Sequence, residues 1–370
     1  MINPKSIQSS AIVVSTLFLT LLLSACSNTQ EIEFVEPGIQ STLAETLDAY
    51  LDANIEDTSP GMAILVVKDG VVAYAGTKGM ANKHTALSIQ SDTGFRLASI
   101  SKTFTALAVM QLYEQQLLSL DDSILHLLPE FPPAWQGITI HHLLTHRSGI
   151  PDFGDDFLIE RWPDGVTNQN VIGYFAAHDM LDFEPGTNGK YSNTGYVLLA
   201  EIVSRLSGFS YSEYLAFNIF HPLDMNQSYA ADELSIPLPN EALNYAEFTT
   251  FSGLNFYITG SSGVVSSIDD MAIFMEALVN EEIVESATLE LMQQHYSPQL
   301  VNGSDYGYGL MLDPTGADAF AHTGSHDGFL TWMLVNRDTG IRLVILGNGG
   351  SQTANHGYLT QLVDQFYDHQ

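Results

Sequence analysis

The apolar positions near the start of the chain predict a helix followed by a β-hairpin. One stripe of the helix is apolar at every fourth residue: Leu43, Leu47, Leu51 and Ile55. Thr42 and Glu45 have the spacing of a capping box, which marks the beginning of the helix. Two β-rich runs follow, MAILVVK and VVAYAG, and Asp69-Gly70 between them is a strong hairpin signal.

The C-terminal part of the chain returns to strand patterns, which are YGYGLML, AFAHTG, FLTWMLVNRD and IRLVILGN. Thr339-Gly340 joins the last two, and a helix over about 352–368 ends the chain. Between the two strand regions, short helical patterns broken by Pro and Gly occupy about 120–255. This order predicts an α+β fold, with an antiparallel sheet built from both chain ends, flanked by helices, and a mostly helical inserted subdomain.

The segment from Ser99 to Leu118 is apolar on nearly every face, which is typical of a buried central helix. Ser99 would lie in its first turn, where the helix dipole favours negative charge. Lys102 follows three residues later on the same face, whereas Ser101 points away and is interpreted as a helix-face hydroxyl. Ser99 is therefore the serine that Lys102 can reach.

Composition and charge restrict what the protein can bind. The 370 residues are 45% hydrophobic and 15% charged, which is enough for a sizeable core in one large domain or two moderate ones. Lys and Arg number 12 against 43 Asp and Glu, so the net charge is −31. Such a chain repels phosphate backbones, so nucleic-acid binding is not expected, and electrostatic docking to anionic lipids is disfavoured.

The first residues have the pattern of a secretion signal. Lys5 precedes an apolar run, 11–23, that is too short for a membrane span and suits a signal peptide. The run leads into LSAC, which resembles the bacterial lipobox and would make Cys26 the lipidated first residue. The alternative is an ordinary secretory peptide with an incidental cysteine. Cys26 is the only cysteine, so no intrachain disulfide can form.

These patterns divide the chain into a lipoprotein signal peptide at 1–25, an acidic tether at 26–40 and a folded domain at 41–370. The residue after the cysteine is Ser27 rather than an aspartate, and in this the chain resembles Gram-negative lipoproteins of the outer membrane. The predicted location is therefore the bacterial cell envelope, on the periplasmic face of the outer membrane, held by the lipid on Cys26.

Three short motifs each occur once. Lys102 is the only one of the six lysines with a serine three positions before it, and Tyr191 is the only one of the 16 tyrosines with an asparagine, Asn193, two positions after it. The third motif, HTG at 322–324, ends a predicted strand. Three single occurrences in this order are far more specific than any one of them.

With SISK, YSN and HTG in this order, the chain resembles the serine β-lactamase and penicillin-binding-protein superfamily, and within it the class C β-lactamase and D-alanyl-D-alanine carboxypeptidase branch. Flanking stretches such as LLTHRSGIP, HPLDM and GSSGVVSSIDDM agree, and the resemblance covers roughly residues 43–368. It implies a β-lactamase/transpeptidase-like fold and a serine hydrolase that needs no cofactor and forms an acyl-enzyme.

The resemblance also implies roles for the motif residues. Ser99 is the nucleophile, and its base is either a neutral Lys102 or the phenolate of Tyr191, which the Lys102 ammonium would favour. The alternatives stay open, and the two groups could share the proton. The backbone N–H groups of Ser99 and Ser325 would form the oxyanion hole, and Asn193 would bind a substrate amide.

His322, Thr323 and Gly324 would line the strand edge that faces the acyl group. At His322, β-lactamases of this branch usually carry lysine. An imidazole with an ordinary pKa near 6.5 is charged only part of the time. Binding of a substrate carboxylate is therefore expected to strengthen as the pH falls through 6.5, and β-lactamase turnover at pH 7 is expected to be poor.

Substrates implied by the resemblance are a small peptide such as a D-Ala-D-Ala end, an ester or a β-lactam. A rival from another class is a non-catalytic lipoprotein that binds penicillin or peptidoglycan. A metal is not expected, although His142 and His146, and likewise His322 and His326, lie four residues apart. No GxSxG occurs, which argues against an α/β-hydrolase.

Overall fold

The computed structural model describes residues 42–154, 165–245, 255–315, 318–326, 328–350 and 355–368. The predicted signal peptide, Cys26 and the tether lie outside these ranges. Within them, no helix combines the length and the hydrophobicity needed to cross a membrane.

Strands dominate the two ends of the described chain, and helices dominate its middle. The strands are β1 (Met62–Lys68), β2 (Val71–Lys78), β3 (Met80–Asn82), β4 (Leu87–Ser88), β5 (Phe95–Arg96), β6 (Gly165–Thr167), β7 (Tyr229–Ala230), β8 (Asn255–Tyr257), β9 (Val264–Ser266), β10 (Ser297–Val301), β11 (Ser304–Tyr306), β12 (Met311–Leu312), β13 (Ala319–His326), β14 (Phe329–Asn336) and β15 (Ile341–Gly347). The helices are α1 (Leu43–Asn54), α2 (Ser101–Glu114), α3 (Ile140–Leu144), α4 (Asn168–Ala176), α5 (Asn193–Ser207), α6 (Tyr211–Leu215), α7 (Ile268–Val279), α8 (Ser286–Met292) and α9 (His356–Asp368). Short 3₁₀ turns span Ala98–Ile100, Ile124–His126 and Pro133–Gly137, and a π-helical turn spans Ala216–Phe220.

The main sheet has eight strands in the order β10-β11-β12-β13-β14-β15-β1-β2. Every neighbouring pair in it is antiparallel. β1 lies between β2 and β15, with Met62 opposite Gly347, so the N-terminal hairpin completes a sheet that the C-terminal strands begin. The predicted α+β fold, with a sheet from both chain ends and helices inserted between, is confirmed.

Both faces of this sheet are buried, which explains why β1 is apolar at nearly every position. Ala63 and Leu65 point into the larger core, where α2 packs, and the alternate residue Ile64 points into a second core. The second core holds α1 and α9 through side chains such as Leu47 and Leu359. The predicted capping box of α1 is present, since the side chains of Thr42 and Glu45 each accept from the backbone N–H of the other.

The central helix begins later than the sequence predicts. Ala98–Ile100 forms a 3₁₀ turn, and the α-helix starts at Ser101 and ends at Glu114. Ala98 has φ of +50°, an uncommon conformation for a residue with a side chain, which turns the chain sharply just before Ser99. Ser99 therefore lies in the tight turn that leads into the buried helix α2.

The predicted strand YGYGLML is broken in the structure. Only its ends are β-structure, in β11 and β12, and Gly307 N–H donates to Leu310 O in a turn between them. Gly309 has φ of +70°, and a Cβ there would lie 2.6 Å from the Cβ of Ala106 and 2.8 Å from Lys102 O. The turn therefore packs directly on α2, which the alternation of residues alone did not reveal.

Candidate active site

The turn that carries Ser99 is held by two sheets. Leu97 N–H donates to Val264 O at 2.8 Å, in the small sheet that contains β9, and Leu97 O accepts from Thr331 Oγ1 at 2.8 Å, on β14. Leu97 and Ile100 are buried, whereas Ser99 is partly exposed. A fixed backbone with one accessible hydroxyl is the arrangement that a nucleophile requires.

Lys102 is fully buried and lies against Ser99. Its Nζ is 3.1 Å from Ser99 Oγ, 2.7 Å from Asn193 Oδ1 and 2.8 Å from Ser261 O. Burial lowers the pKa of Lys102 from 10.5 to about 7, against the opposing effect of the Asp152 carboxylate. A neutral amine has two N–H groups for Asn193 and Ser261 and one lone pair for the Ser99 hydroxyl. The contacts therefore suit a general base.

Asp152 positions Asn193, a function that the sequence analysis missed. Its Oδ2 accepts from the backbone N–H of Asn193 at 2.5 Å and from the Asn193 side-chain amide at 3.0 Å, and Oδ1 accepts from Gly154 N–H at 2.6 Å. Because Nδ2 of Asn193 is bound in this way, its Oδ1 points at Lys102. Asp152 also caps the N-terminus of α5, where a negative charge is favoured.

Tyr191 lies just before α5, on the loop at the helix mouth that the sequence predicts. Its ring centroid is 4.7 Å from Lys102 Nζ. Burial raises the pKa of Tyr191 above its usual 10, and the hydrogen bond with the Ser99 side chain opposes that rise without cancelling it. The phenol is therefore neutral at pH 7. An ammonium on Lys102 would favour a phenolate, but burial outweighs such an effect, so the contacts favour the neutral phenol and the role of Tyr191 as base stays a prediction.

A buried cluster of aromatic and imidazole rings packs against the ring of Tyr191. His146 packs at centroid distances of 4.4 Å from Tyr191, 5.1 Å from Tyr196 and 4.8 Å from Tyr306. Its Nδ1 accepts from the backbone N–H of Ser192 at 3.1 Å. Burial lowers the pKa of His146 well below 6.5, and the neighbouring Lys102 adds to this. The imidazole is thus a neutral part of the wall.

His322 is a buried side chain with both ring nitrogens hydrogen-bonded, which differs from the partly charged imidazole that the sequence predicts. The side chain is fully buried, Tyr306 Oη donates to its Nε2 at 2.9 Å, and its Nδ1 donates to Thr323 O at 2.7 Å. Burial, reinforced by the nearby Lys102, lowers the pKa of His322 to about 3. The burial of His322 and the bonds at both of its nitrogens argue against the expected gain of carboxylate binding as the pH falls through 6.5.

Among the described residues, the edge of β13 beside the nucleophile has no second strand partner. Along the described strands, β12 pairs with β13 only at Phe320 and Ala321, so residues 322–325 have a strand partner, β14, on one side. Thr323 is partly exposed and Ser325 is exposed. An unpaired strand edge offers backbone donors and acceptors to an extended substrate. The oxyanion role of the Ser325 and Ser99 N–H groups stays a prediction.

Gly324 brings this edge close to the nucleophile. A Cβ at this position would overlap Leu97 O and Thr331 Oγ1 and would lie 3.1 Å from the Cβ of Ala98. Only a residue without a side chain fits between the strand and the Ser99 turn. Gly324 therefore allows the backbone of β13 to approach the turn that carries Ser99.

The remaining candidates, Ser101 and the two pairs of histidines, include three side chains that hydrogen-bond or pack within the fold. Ser101 is fully buried and its Oγ accepts from Val264 N–H at 3.0 Å, which agrees with the interpretation of a helix-face hydroxyl. His142 Nδ1 accepts from Thr139 N–H, while His146 belongs to the ring cluster. In the described part of the chain, no three His, Cys, Asp or Glu side chains form a group that could hold a metal ion.

Comparison with protein families gives one match that spans nearly the whole described domain. Residues 43–367 match the family model described as Beta-lactamase. Penicillin-binding protein 4* of Bacillus subtilis is 31% identical over 314 residues, which are 78% of this chain and 68% of that protein. The chain spans 62% to 68% of the length of the first relatives that it matches.

Solved structures show the same architecture. The octameric penicillin-binding protein homologue from Pyrococcus abyssi superposes with a TM-score of 0.75 at 30% identity, covering 88% of this chain and 77% of that chain. D-amino acid amidase from Ochrobactrum anthropi SV3 gives a TM-score of 0.69 at 26% identity, covering 88% and 98%.

Gly324→Ala should leave the protein folded but slow acylation by at least about tenfold, because the added methyl pushes β13 away from the Ser99 turn and misplaces groups that must align closely. Single-turnover acylation by a chromogenic ester measures this rate. Gly137→Ala is the matched control, since a Cβ at Gly137 meets no atom within 4 Å. Equal rates in the two variants would contradict a role for this close approach.

Asp152→Asn should shift the pH dependence of acylation to lower pH. The base must be neutral, so the rate should rise with pH around the Lys102 pKa of about 7. Asp152 raises the pKa of Lys102, so removing its charge should lower the midpoint, while the amide oxygen can still accept from Asn193. Asp269→Asn, on an exposed carboxylate that binds Ser91, is the control. A midpoint that moves upward, or stays in place, would exclude this electrostatic role.

Proposed function

Since the chain belongs to the beta-lactamase family of serine hydrolases, we propose that it hydrolyses peptides or esters through an acyl-enzyme on Ser99, in the manner of a D-Ala-D-Ala carboxypeptidase. The observation that carries this proposal is the buried Lys102 Nζ, 3.1 Å from Ser99 Oγ, with a pKa lowered to about 7.

Acylation begins when Ser99 Oγ attacks the carbonyl carbon of the substrate and its proton passes to Lys102 Nζ. The carbonyl π electrons move onto the oxygen, which the N–H groups of Ser99 and Ser325 would stabilise. When the tetrahedral intermediate collapses, the bond to the leaving group breaks and that group takes a proton from Tyr191 Oη. Lys102 returns its proton to Tyr191, so the site regains its original protonation.

Deacylation repeats the same steps with water. Lys102 accepts a proton from the attacking water, whose oxygen bonds to the acyl carbon. The ester bond to Ser99 then breaks, and Lys102 gives its proton to Ser99 Oγ as the acid product leaves, so both groups regain their original protonation. The neutral phenol of Tyr191 fits a proton donor better than a base, because burial raises its pKa. In the proposed mechanism, Lys102 is therefore the base and Tyr191 relays the proton, which the raised pKa of Tyr191 and the lowered pKa of Lys102 support.

The neutral character of His322 favours a peptidase or an esterase over a β-lactamase. A lysine at this position would give a permanent cation near the acyl group, whereas His322 has a pKa of about 3 and is fully buried. Similar proteins include penicillin-binding protein 4* and a D-amino acid amidase, whose names fit small peptide or amide substrates. A β-lactamase remains the alternative function. The rival of a non-catalytic binder is disfavoured because the base is retained beside an accessible serine.

The acyl-enzyme is tested with a fluorescent penicillin and a short-chain aryl ester. We expect covalent label on the peptide that carries Ser99, release of ester product, and slow or no turnover of the penicillin. Ser99→Ala, checked for an unchanged melting temperature, should lose both labelling and hydrolysis. Label that fragmentation maps to Ser101, or full activity in Ser99→Ala, would overturn the assignment.

We also propose that the mature protein starts at Cys26 and is lipid-anchored at the periplasmic face of the outer membrane. The proposal is supported by the lipobox-like sequence LSAC and by the polar residues after it. Two or three acyl chains hold a protein at a membrane, at about 0.8 kcal/mol per buried CH₂.

Cys26→Ser should move the protein from the membrane fraction to the soluble fraction and remove the lipid mass from its N-terminal peptide. Cell fractionation and mass spectrometry measure both effects, and Ser27→Ala is the control that should leave the lipid in place. A mature N-terminus at any other residue would contradict the anchor.

A further inference from the structure

A polar cavity of about 460 Å³ opens beside Tyr191. Its walls are the loop before α5 and the strand β10, and Arg147 lies between them. Arg147, Lys190 and Tyr191 line the cavity together with neutral residues from 187–189 and 297–300. Because Tyr191 also contacts Ser99 and Lys102, the cavity adjoins the nucleophile.

The charge of this cavity is opposite to that of the protein. The chain has 12 Lys and Arg residues against 43 Asp and Glu, yet two of those 12 line this cavity and no lining residue is acidic. One of the two, Lys190, is paired with Asp182 at 2.7 Å. The charge of Arg147 therefore decides what the cavity attracts.

Arg147 is fixed in place by neutral groups. Its Nη1 donates to Tyr296 O at 2.8 Å and its Nη2 donates to Gly186 O, one from each wall. Within the ranges described above, it makes no ion pair with a carboxylate. A guanidinium has five N–H groups and keeps its proton at any ordinary pH, so three donors remain beyond these two bonds. A rigid, uncompensated guanidinium is suited to bind a planar anion.

We propose that this cavity binds a carboxylate carried by the leaving group of the substrate, with Arg147 as the main contact and Lys190 as a second cation. The inference rests on the proposed hydrolase function. The leaving group is the relevant part because Tyr191, which would hand it a proton, forms one side of the cavity. A peptide cleaved before its last residue carries such a carboxylate on the departing amino acid.

The cavity also accounts for carboxylate recognition without His322. That imidazole is buried and bonded at both nitrogens, so it presents no charge to a substrate. An arginine stays charged throughout the working pH range. Selection for an acidic leaving group should then persist at pH 7 to 8, where a histidine-based site would lose it.

The test compares two aryl esters that differ only in one charge, 3-acetoxybenzoate and 3-acetoxybenzamide, with the 4-substituted pair measured alongside. The readout is the ratio of kcat/KM for the acid to kcat/KM for the amide, at fixed ionic strength and pH 7.5. Wild type should prefer the acid in at least one pair. Arg147→Gln should lower that ratio by about tenfold, as expected for a lost charged hydrogen bond, and Lys190→Gln by less.

A purely structural role for Arg147 predicts a different result. Loss of its two hydrogen bonds to carbonyl groups would slow the hydrolysis of both esters equally and leave the ratio of their kcat/KM values unchanged. Lys68→Gln is the matched control, because Lys68 also pairs with a carboxylate, Asp69, but does not line the cavity. That variant should keep the wild-type ratio.

The outcomes separate this inference from the proposed function. If wild type hydrolyses both esters through Ser99 but shows no preference for either acid, or if Arg147→Gln keeps the preference, the carboxylate site is wrong and the hydrolase stands. If wild type hydrolyses none of the esters and Ser99 takes no acyl label, the proposed function itself fails.

Discussion

The site depends on burying the amine of Lys102 without a direct ion pair. Lowering its pKa from 10.5 to about 7 means that the protein disfavours the ammonium form by about 5 kcal/mol relative to water. Its three contacts are a hydroxyl, an amide oxygen and a peptide carbonyl, all neutral. A carboxylate in any of these places would stabilise the ammonium and remove the base. The side-chain amide of Asn193 lies between Lys102 and Asp152. The Asp152 carboxylate therefore orients the hydrogen bond between Asn193 and Lys102, while its charge acts on Lys102 from beyond the amide and without direct contact.

Such an environment requires contributions from distant parts of the chain. Ser99 and Lys102 come from the turn and start of α2, Asn193 from the start of α5, and Ser261 from the segment before β9. The main sheet completes the surroundings of the site, because Gly324 on β13 lies against the backbone of Leu97. Because α5 packs against α2, and β14 and β9 hold the Ser99 turn, the position of each polar atom is set by the packing of the buried core. The precision of the site is therefore a property of the whole domain.

Local signals explain what the sequence could predict. The capping box at Thr42, the hairpin at Asp69-Gly70 and the apolar strand runs are each decided within a few residues, and the three motifs identify Ser99, Lys102 and Tyr191 by spacing. Asp152 and Ser261 were missed because they meet Asn193 and Lys102 across 41 and 159 residues, and no local pattern records such a meeting. The burial of His322 was missed for the same reason, since the ring that covers it, Tyr306, belongs to a predicted strand that the structure breaks after Tyr306.

The strong acidity of the chain changes what a cation at the site can do. A net charge of −31 repels an anionic substrate at long range, but salt screens that field over about 10 Å at 0.1 M. Within the cavity, a guanidinium in direct contact acts over a few ångströms and is screened far less. Long-range repulsion should then limit the association rate, whereas Arg147 would act on the bound state. Recognition of a carboxylate would thus rest on the geometry of its contact with Arg147. Added salt would screen both interactions, so it would raise the association rate of an anionic substrate and weaken the contact of the bound carboxylate with Arg147.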